Sequence, residues 1–211
     1  MKITKFGHSC LLVEEGEARI LFDPGSYSTV PEGLSNLDVI LITHEHQDHV
    51  SVDLLKTIIN NNPQAKIVTN DGVGAELRRA GIAYEALTDG QSMTLKGVAI
   101  EAFGRDHAVI YPGLPHVDNT GYLINKKLYH PGDALFVPPV PVKVLALPVV
   151  APWSKISEVI DYAKAVQPEV AFPIHDGMLK FPSGYHKWPE NFLTPARIKW
   201  LPLVEGQQIE V

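Results

Sequence analysis

The chain has 211 residues, 45% hydrophobic and 20% charged, with a net charge of −6 and a pI near 5.8. That balance suits a packed domain and excludes a disordered chain, and the acidic surplus argues against a general grip on nucleic acid or on anionic membrane. A lone cysteine (Cys10) excludes an internal disulfide, Met1–Lys5 lacks the apolar run of a signal peptide, and no stretch is long enough to span a bilayer, so a cytoplasmic enzyme-sized protein is expected.

Short β-rich runs at 1–6, 9–14 and 18–22 open the chain, punctuated by Gly7-His8 and Glu15-Gly16. Asp38–Thr43 is a continuous apolar run rich in Val and Ile, the pattern of a strand buried on both faces. Val52, Leu54, Leu55, Ile58 and Ile59 then repeat at helical spacing up to the stop at Asn60-Asn61-Asn62-Pro63. A strand at 66–69 and a helix at 72–80, closed by Gly81, complete the first half.

The second half opens with strands at 91–96 and 98–103 and a loop rich in Gly, Pro and His from 104 to 119. Strands follow near 121–124, 127–130 and 142–147. Ser154 is the expected N-cap of a helix over 155–166, which Pro168 ends before a strand at 170–174. The aromatic, proline-rich segment 180–195 reads as ordered loop. With no linker or low-complexity stretch, residues 1–211 are expected to form a single domain. Two such halves predict two sheets packed face to face with helices outside, although no sequence repeat is detectable.

The chemistry concentrates in His44-Glu45-His46-Gln47-Asp48-His49, directly after the buried strand. In extended backbone the i, i+2 spacing puts His44 and His46 on one face, where they can chelate one ion. Asp48 and His49 come where the chain turns, and can serve a second ion about 3.5–4 Å from the first. A solvated His-rich turn is the bland alternative. The full pattern His-X-His-X-Asp-His arises by chance in about one chain of this composition in a thousand.

This segment resembles the signature of the metallo-β-lactamase fold superfamily, and the resemblance runs from Gly7-His8-Ser9 and Leu21-Phe22-Asp23-Pro24 to Pro173-Ile174-His175-Asp176. In detail the chain looks most like short single-domain hydrolases related to L-ascorbate-6-phosphate lactonase. The resemblance implies an α+β fold, a four-layer αββα sandwich of two mixed β-sheets. It also implies two metal ions, with His44 and His46 on the first and Asp48 and His49 on the second. His107 is the favoured third ligand of the first ion, because it follows the strand at 98–103 directly; His116 in the same loop is the rival. Asp133, in His130-Pro131-Gly132-Asp133, matches the bridging carboxylate and His175 the last ligand of the second ion. Asp23 matches an early Asp that orients ligands, or is a turn residue of Asp-Pro-Gly. His8 and His130 resemble positions near the substrate, with a structural role as the alternative. Asp176 either steadies His175 or shapes its turn, and Arg105, Lys180, Tyr185 and His186 are candidates for the cleft rim.

Imidazoles and carboxylates without thiolate suit zinc, with manganese or iron as further options. Diiron oxygen-reducing members of the superfamily carry glutamate where this chain has His46, which favours hydrolysis. The expected activity is hydrolysis of a lactone or other carboxylic ester by a metal-bridging hydroxide, with Asp48 or Asp133 handling the proton. The substrate is expected to be a small molecule, possibly anionic, with no nucleic-acid or membrane partner and with a homo-oligomer open. Phosphodiester hydrolysis of nucleotide or RNA is the alternative reaction, and a non-catalytic metal-binding or ligand-sensing module the alternative class.

Overall fold

The computed structural model describes residues 1–211. Its first half contains strands β1 (Lys2–Lys5), β2 (Leu11–Glu15), β3 (Ala18–Phe22), β4 (Val39–Leu41), β5 (Lys66–Thr69) and β6 (Glu85–Ala86), with helices α1 (Val52–Asn61) and α2 (Asp71–Arg79). The second half contains β7 (Ser92–Leu95), β8 (Val98–Phe103), β9 (Gly121–Ile124), β10 (Leu128–His130), β11 (Val144–Pro148), α3 (Ile156–Val166) and β12 (Val170–Ile174). Helix α4 (Ser183–Leu193) and strands β13 (Lys199–Trp200) and β14 (Gln208–Glu210) follow. None of the helices is long and apolar enough to cross a membrane.

The strands form two seven-stranded mixed sheets, ordered β14-β1-β2-β3-β4-β5-β6 and β13-β12-β11-β10-β9-β8-β7. In the first, β14 through β3 pair antiparallel and β3 through β6 parallel. In the second, β7 through β10 pair antiparallel and β10 through β13 parallel.

Side-chain alternation along the strands explains the layers. Leu11, Val13, Ile20, Phe22, Val39 and Leu41 point inward, where they meet Ile100, Ile124, Ala146 and Phe172 of the facing sheet. The alternate residues Leu12, Leu21 and Ile40 point outward and are covered by Leu55 and Ile58 of α1 and Val73 and Leu77 of α2. On the other side, Leu123, Leu145, Leu147 and Ala171 pack under Val159, Ile160 and Ala163 of α3 and Leu193 of α4. The result is the expected αββα sandwich, with the continuous apolar runs lying where both faces of a strand are covered.

Three local expectations change. The segment 180–195 is largely the helix α4 rather than loop. Pro189 lies inside it and interrupts the hydrogen-bond ladder, while the nearby His186 carbonyl accepts a bond from the Trp200 indole (2.7 Å). Burial of Pro189 and Leu193 therefore overrides a poor intrinsic propensity. Helix α3 starts from Lys155 as N-cap, not Ser154, and the Glu158 carboxylate accepts from the Lys155 backbone N–H (3.0 Å). Strands β6, β13 and β14, each two or three residues long, were too short to register as periodic segments.

Cys10 is fully buried, and burial pushes its thiol pKa up. A thiol reagent is expected to label no cysteine in the native protein and one after unfolding, as read by mass spectrometry.

Candidate metal centre

The site lies along one edge of the sandwich, where strands end. Asp23 follows β3, the His44–His49 segment follows β4, and His107, Asp133 and His175 follow β8, β10 and β12. His8 joins them from the turn between β1 and β2. His8, Asp23 and His175 all adopt positive φ (32°, 41° and 61°), a conformation costing about 1–3 kcal/mol each that persists only where the surroundings enforce it. Two glycines permit the close packing. A Cβ on Gly25 would lie 1.9 Å from the Asp48 carbonyl oxygen. One on Gly132 (φ 62°), just before Asp133, would meet the Asn119 side chain at 2.3 Å.

Two groups of potential ligands result. His44, His46, His107 and Asp133 form one; His8, Asp48, His49 and His175 form the other, and within each group the donor atoms lie within 4.8 Å of one another. Asp133 stands between them. Its Oδ1 is 3.1 Å from His49 Nε2, and its Oδ2 is 2.9 Å from His175 Nε2 and 3.4 Å from His107 Nε2. His116, the rival for the third position, is exposed and faces Asp118 and Asp106 at 3.2 and 3.5 Å.

Four histidines are clamped from behind. The Nδ1 of His49 donates to Asp23 Oδ2 (2.7 Å), that of His107 to the Ala108 carbonyl (2.5 Å) and that of His175 to the Val150 carbonyl (2.6 Å). His44 Nδ1 meets Thr43 Oγ1 at 3.0 Å, and that hydroxyl donates onward to Asp23 Oδ2 (2.8 Å). Each clamp leaves Nε2 as the free lone pair. The Nε2 atoms of His44, His49, His107 and His175, with Asp133 Oδ1, are buried without a hydrogen-bond partner. Buried polar atoms are rarely left so, and a shared set of nitrogen and carboxylate donors aimed at common points fits divalent cations.

The charges agree with that fit. Burial, and then the neighbouring His49 imidazole, hold His44 well below its ordinary pKa, hence neutral as a ligand must be. Burial pulls His49 down too, but Asp133 and Asp23 on its two sides outweigh this and raise it, so without a cation His49 favours the imidazolium and a cation held there would take the place of its Nε2 proton. Burial would raise the Asp133 carboxyl, yet His175, His49 and His44 hold it well below the usual range. Asp48 is likewise brought down to about 2, because the His8 hydrogen bond and the flanking His49 and His175 overcome burial.

His8 is fully buried and takes the structural one of its two expected roles. Its Nδ1 accepts the Gly177 backbone N–H (3.2 Å), so Nε2 carries the proton and donates it to Asp48 Oδ2 (3.1 Å). Burial lowers its pKa to about 4, which keeps this neutral tautomer at pH 7. His8 thus orients a ligand carboxylate. Asp23 likewise orients, through His49, Thr43 and the Thr43 backbone N–H (2.8 Å). Trp153 carries no signal in the sequence: its indole N–H donates to Asp133 Oδ2 (3.0 Å) from a loop that no spacing ties to the ligands.

His130 is not in the cleft. It is fully buried and stacked on Phe22, with Nε2 donating to the Ser9 carbonyl (3.0 Å) and Nδ1 accepting from Gly132 N (3.2 Å). Both nitrogens are engaged in holding the loop before Asp133, which corrects the expectation of a substrate contact. Asp176 bonds Lys5 and His186, steadying the His175 turn from below. Arg105 pairs with Asp89 in a separate polar depression, and Lys180 lies over the Phe181 ring. The cleft above the donor clusters measures 190 Å³ and includes His46, Asp48, His107, Asp133 and His175 in its walls.

Comparison with known proteins agrees with this reading. The model of the beta-lactamase superfamily domain matches residues 2–175. A Mycobacterium tuberculosis protein is 45% identical over 184 residues, covering 85% of each chain. A metal-dependent hydrolase of Methanocaldococcus jannaschii is 26% identical over 196 residues, covering 82% of this chain and 83% of its own. Among solved structures, a metallo hydrolase of the archaeon Ignicoccus hospitalis superposes with a TM-score of 0.77 at 24% identity, covering 100% of this chain and 98% of the other. With the family matched over most of its length and two clusters of metal-competent side chains at the expected edge of the sandwich, the chain belongs to the beta-lactamase superfamily and is one of its metal-dependent hydrolases.

Proposed function

We propose that the chain is a dinuclear hydrolase acting on a small lactone or other carboxylic ester. The observation that carries the dinuclear reading is the pair of donor groups divided by Asp133, with unpartnered Nε2 atoms facing inward from both sides. His44, His46 and His107 would hold one ion, Asp48, His49 and His175 the other, and Asp133 both. Zinc suits this donor set, with manganese or iron also compatible. When bound, such a pair lowers the pKa of water from 15.7 towards about 7 and stabilises negative charge developing on a carbonyl oxygen.

The residues divide the remaining work. Asp23 and the backbone carbonyls of Ala108 and Val150 fix the ligand tautomers before any substrate arrives. His8 and Trp153 each donate one hydrogen bond to a ligand carboxylate, limiting the rotation of Asp48 and Asp133. Asp48 and Asp133, both held ionised, are the groups able to orient the attacking water and pass a proton towards the leaving oxygen. An ester is favoured over a phosphodiester by the resemblance of the sequence motifs to relatives of L-ascorbate-6-phosphate lactonase and by the acidic net charge of −6.

Metal analysis of the purified protein is expected to find two equivalents per chain. Lactones and carboxylic esters should be turned over, and a chelator should abolish that turnover. Turnover confined to phosphodiesters would replace the ester reading, and turnover that survives complete metal removal would overturn the mechanism.

A further inference from the structure

The loop after His107 exposes more apolar surface than its own fold requires. Val109 and Tyr111 are each 71% exposed and Leu114 is 56% exposed, within ten residues of a candidate ligand. A soluble protein rarely leaves such a cluster open without a use for it. These residues line a groove of 730 Å³ that also contains His46 and His107. His46, His107 and Ile110 line the metal cleft as well, so groove and cleft are continuous.

The charge of the lining is as informative as its shape. None of the twelve groove residues and none of the ten cleft residues is lysine or arginine. The only carboxylates in the two linings are Asp48 and Asp133, both in the donor clusters. The nearby bases are engaged elsewhere, Arg105 with Asp89 and Lys180 over Phe181. The one further imidazole of the groove, His116, already faces Asp118 and Asp106, so a phosphate or carboxylate on the distal part of a substrate would lose water, approach two carboxylates and gain no lysine or arginine in return. The remaining cleft walls are Tyr27, Pro152, Trp153 and Met178, which continue the apolar surface across the mouth.

We propose that the groove between the metal cleft and the 108–117 loop receives an uncharged, apolar arm of the substrate, attached to the group that is hydrolysed. This selectivity rests on the lactone and ester reading above and departs from the anionic substrate that the sequence left open.

The test uses the metal-loaded protein and a series of γ-lactones of increasing alkyl chain length, each compared with an analogue bearing a terminal carboxylate or phosphate. kcat/KM is expected to rise by about two- to fourfold per methylene until the groove is filled, as burial of each CH₂ predicts, and the charged analogues should lose that gain. In the Leu114→Asp and Val109→Asp variants the ratio of long-chain to short-chain turnover should flatten. A flat chain-length profile in the unaltered protein, or a preference for the charged analogues, would overturn the proposal while leaving ester hydrolysis intact. If no lactone is turned over, the ester reading fails, and alkyl hydroxamates of the same chain lengths, titrated calorimetrically into the metal-loaded protein, decide the groove separately. Affinity rising with chain length supports it, and equal affinities reject it.

Discussion

Asp133→Asn is expected to lower bound metal from two equivalents to one or fewer and to reduce turnover far beyond the roughly 10–100-fold typical of losing a residue that merely supports a ligand. The substitution keeps shape and volume but removes the negative charge that faces His49, His175 and His107 at once. Without it, two divalent cations a few ångströms apart would repel each other with less compensation. The fold should survive. Asp133 is positioned through its backbone N–H, which donates to Asn119 Oδ1 (2.9 Å), and Asn119 in turn donates to the Pro131 carbonyl (2.9 Å). Circular dichroism of the metal-free variant should therefore match that of the metal-free parent. Elemental analysis showing two metals retained, with turnover within tenfold of the parent, would remove Asp133 from its bridging position.

How much of this centre was readable in the chain depends on which residues carry local signals. His44 to His49 announced itself because two ligands at i, i+2 on extended backbone form an unusual pattern after an unusually apolar strand. His107, Asp133 and His175 carry weak signals alone, and became legible only as strand ends in a matching order. Trp153 and the pairing of His8 with Asp48 were not legible. Trp153 depends on one long-range hydrogen bond and His8 on two, all set by how the chain's loops meet at the site, and sequence spacing does not encode that. The same limit explains His130, whose place beside the Asp133 turn looked functional until its stacking on Phe22 was visible. The layered fold was accessible because alternation and continuous apolar runs are local properties. Helix α4 was not, because its stability comes from packing against α3 and β13 in spite of Pro189.

Lys5→Met is expected to destabilise the metal-free protein by about 3–5 kcal/mol, the usual cost of removing one partner of a buried ion pair. At the 2–4 °C per kcal/mol typical of chains this size, the melting temperature should fall by roughly 6–20 °C. Lys5 is 1% exposed on β1, and its ammonium donates to Asp176 Oδ1 (2.6 Å), the Pro173 carbonyl (2.8 Å) and the Leu203 carbonyl (3.3 Å). Removing it leaves the Asp176 carboxylate buried with His186 Nε2 (2.7 Å) as its remaining side-chain partner. Burial would raise the Asp176 carboxyl, but the His186 hydrogen bond and Lys5 together lower it. A carboxyl lowered on folding contributes stability above its unfolded range and loses it as pH falls through the folded value, so parent and variant should converge in acid. The double variant Lys5→Met, Asp176→Asn should recover part of the loss, since no uncompensated charge then remains. Thermal melts in chelator keep metal binding from masking the difference. A Lys5→Met loss below about 1 kcal/mol would mean that water reaches Asp176 and that the pair is not the anchor it resembles. If the full loss is seen, the first strand and the turn carrying His175 are joined by one buried charge pair, which ties the metal centre to β1 of the opposite sheet.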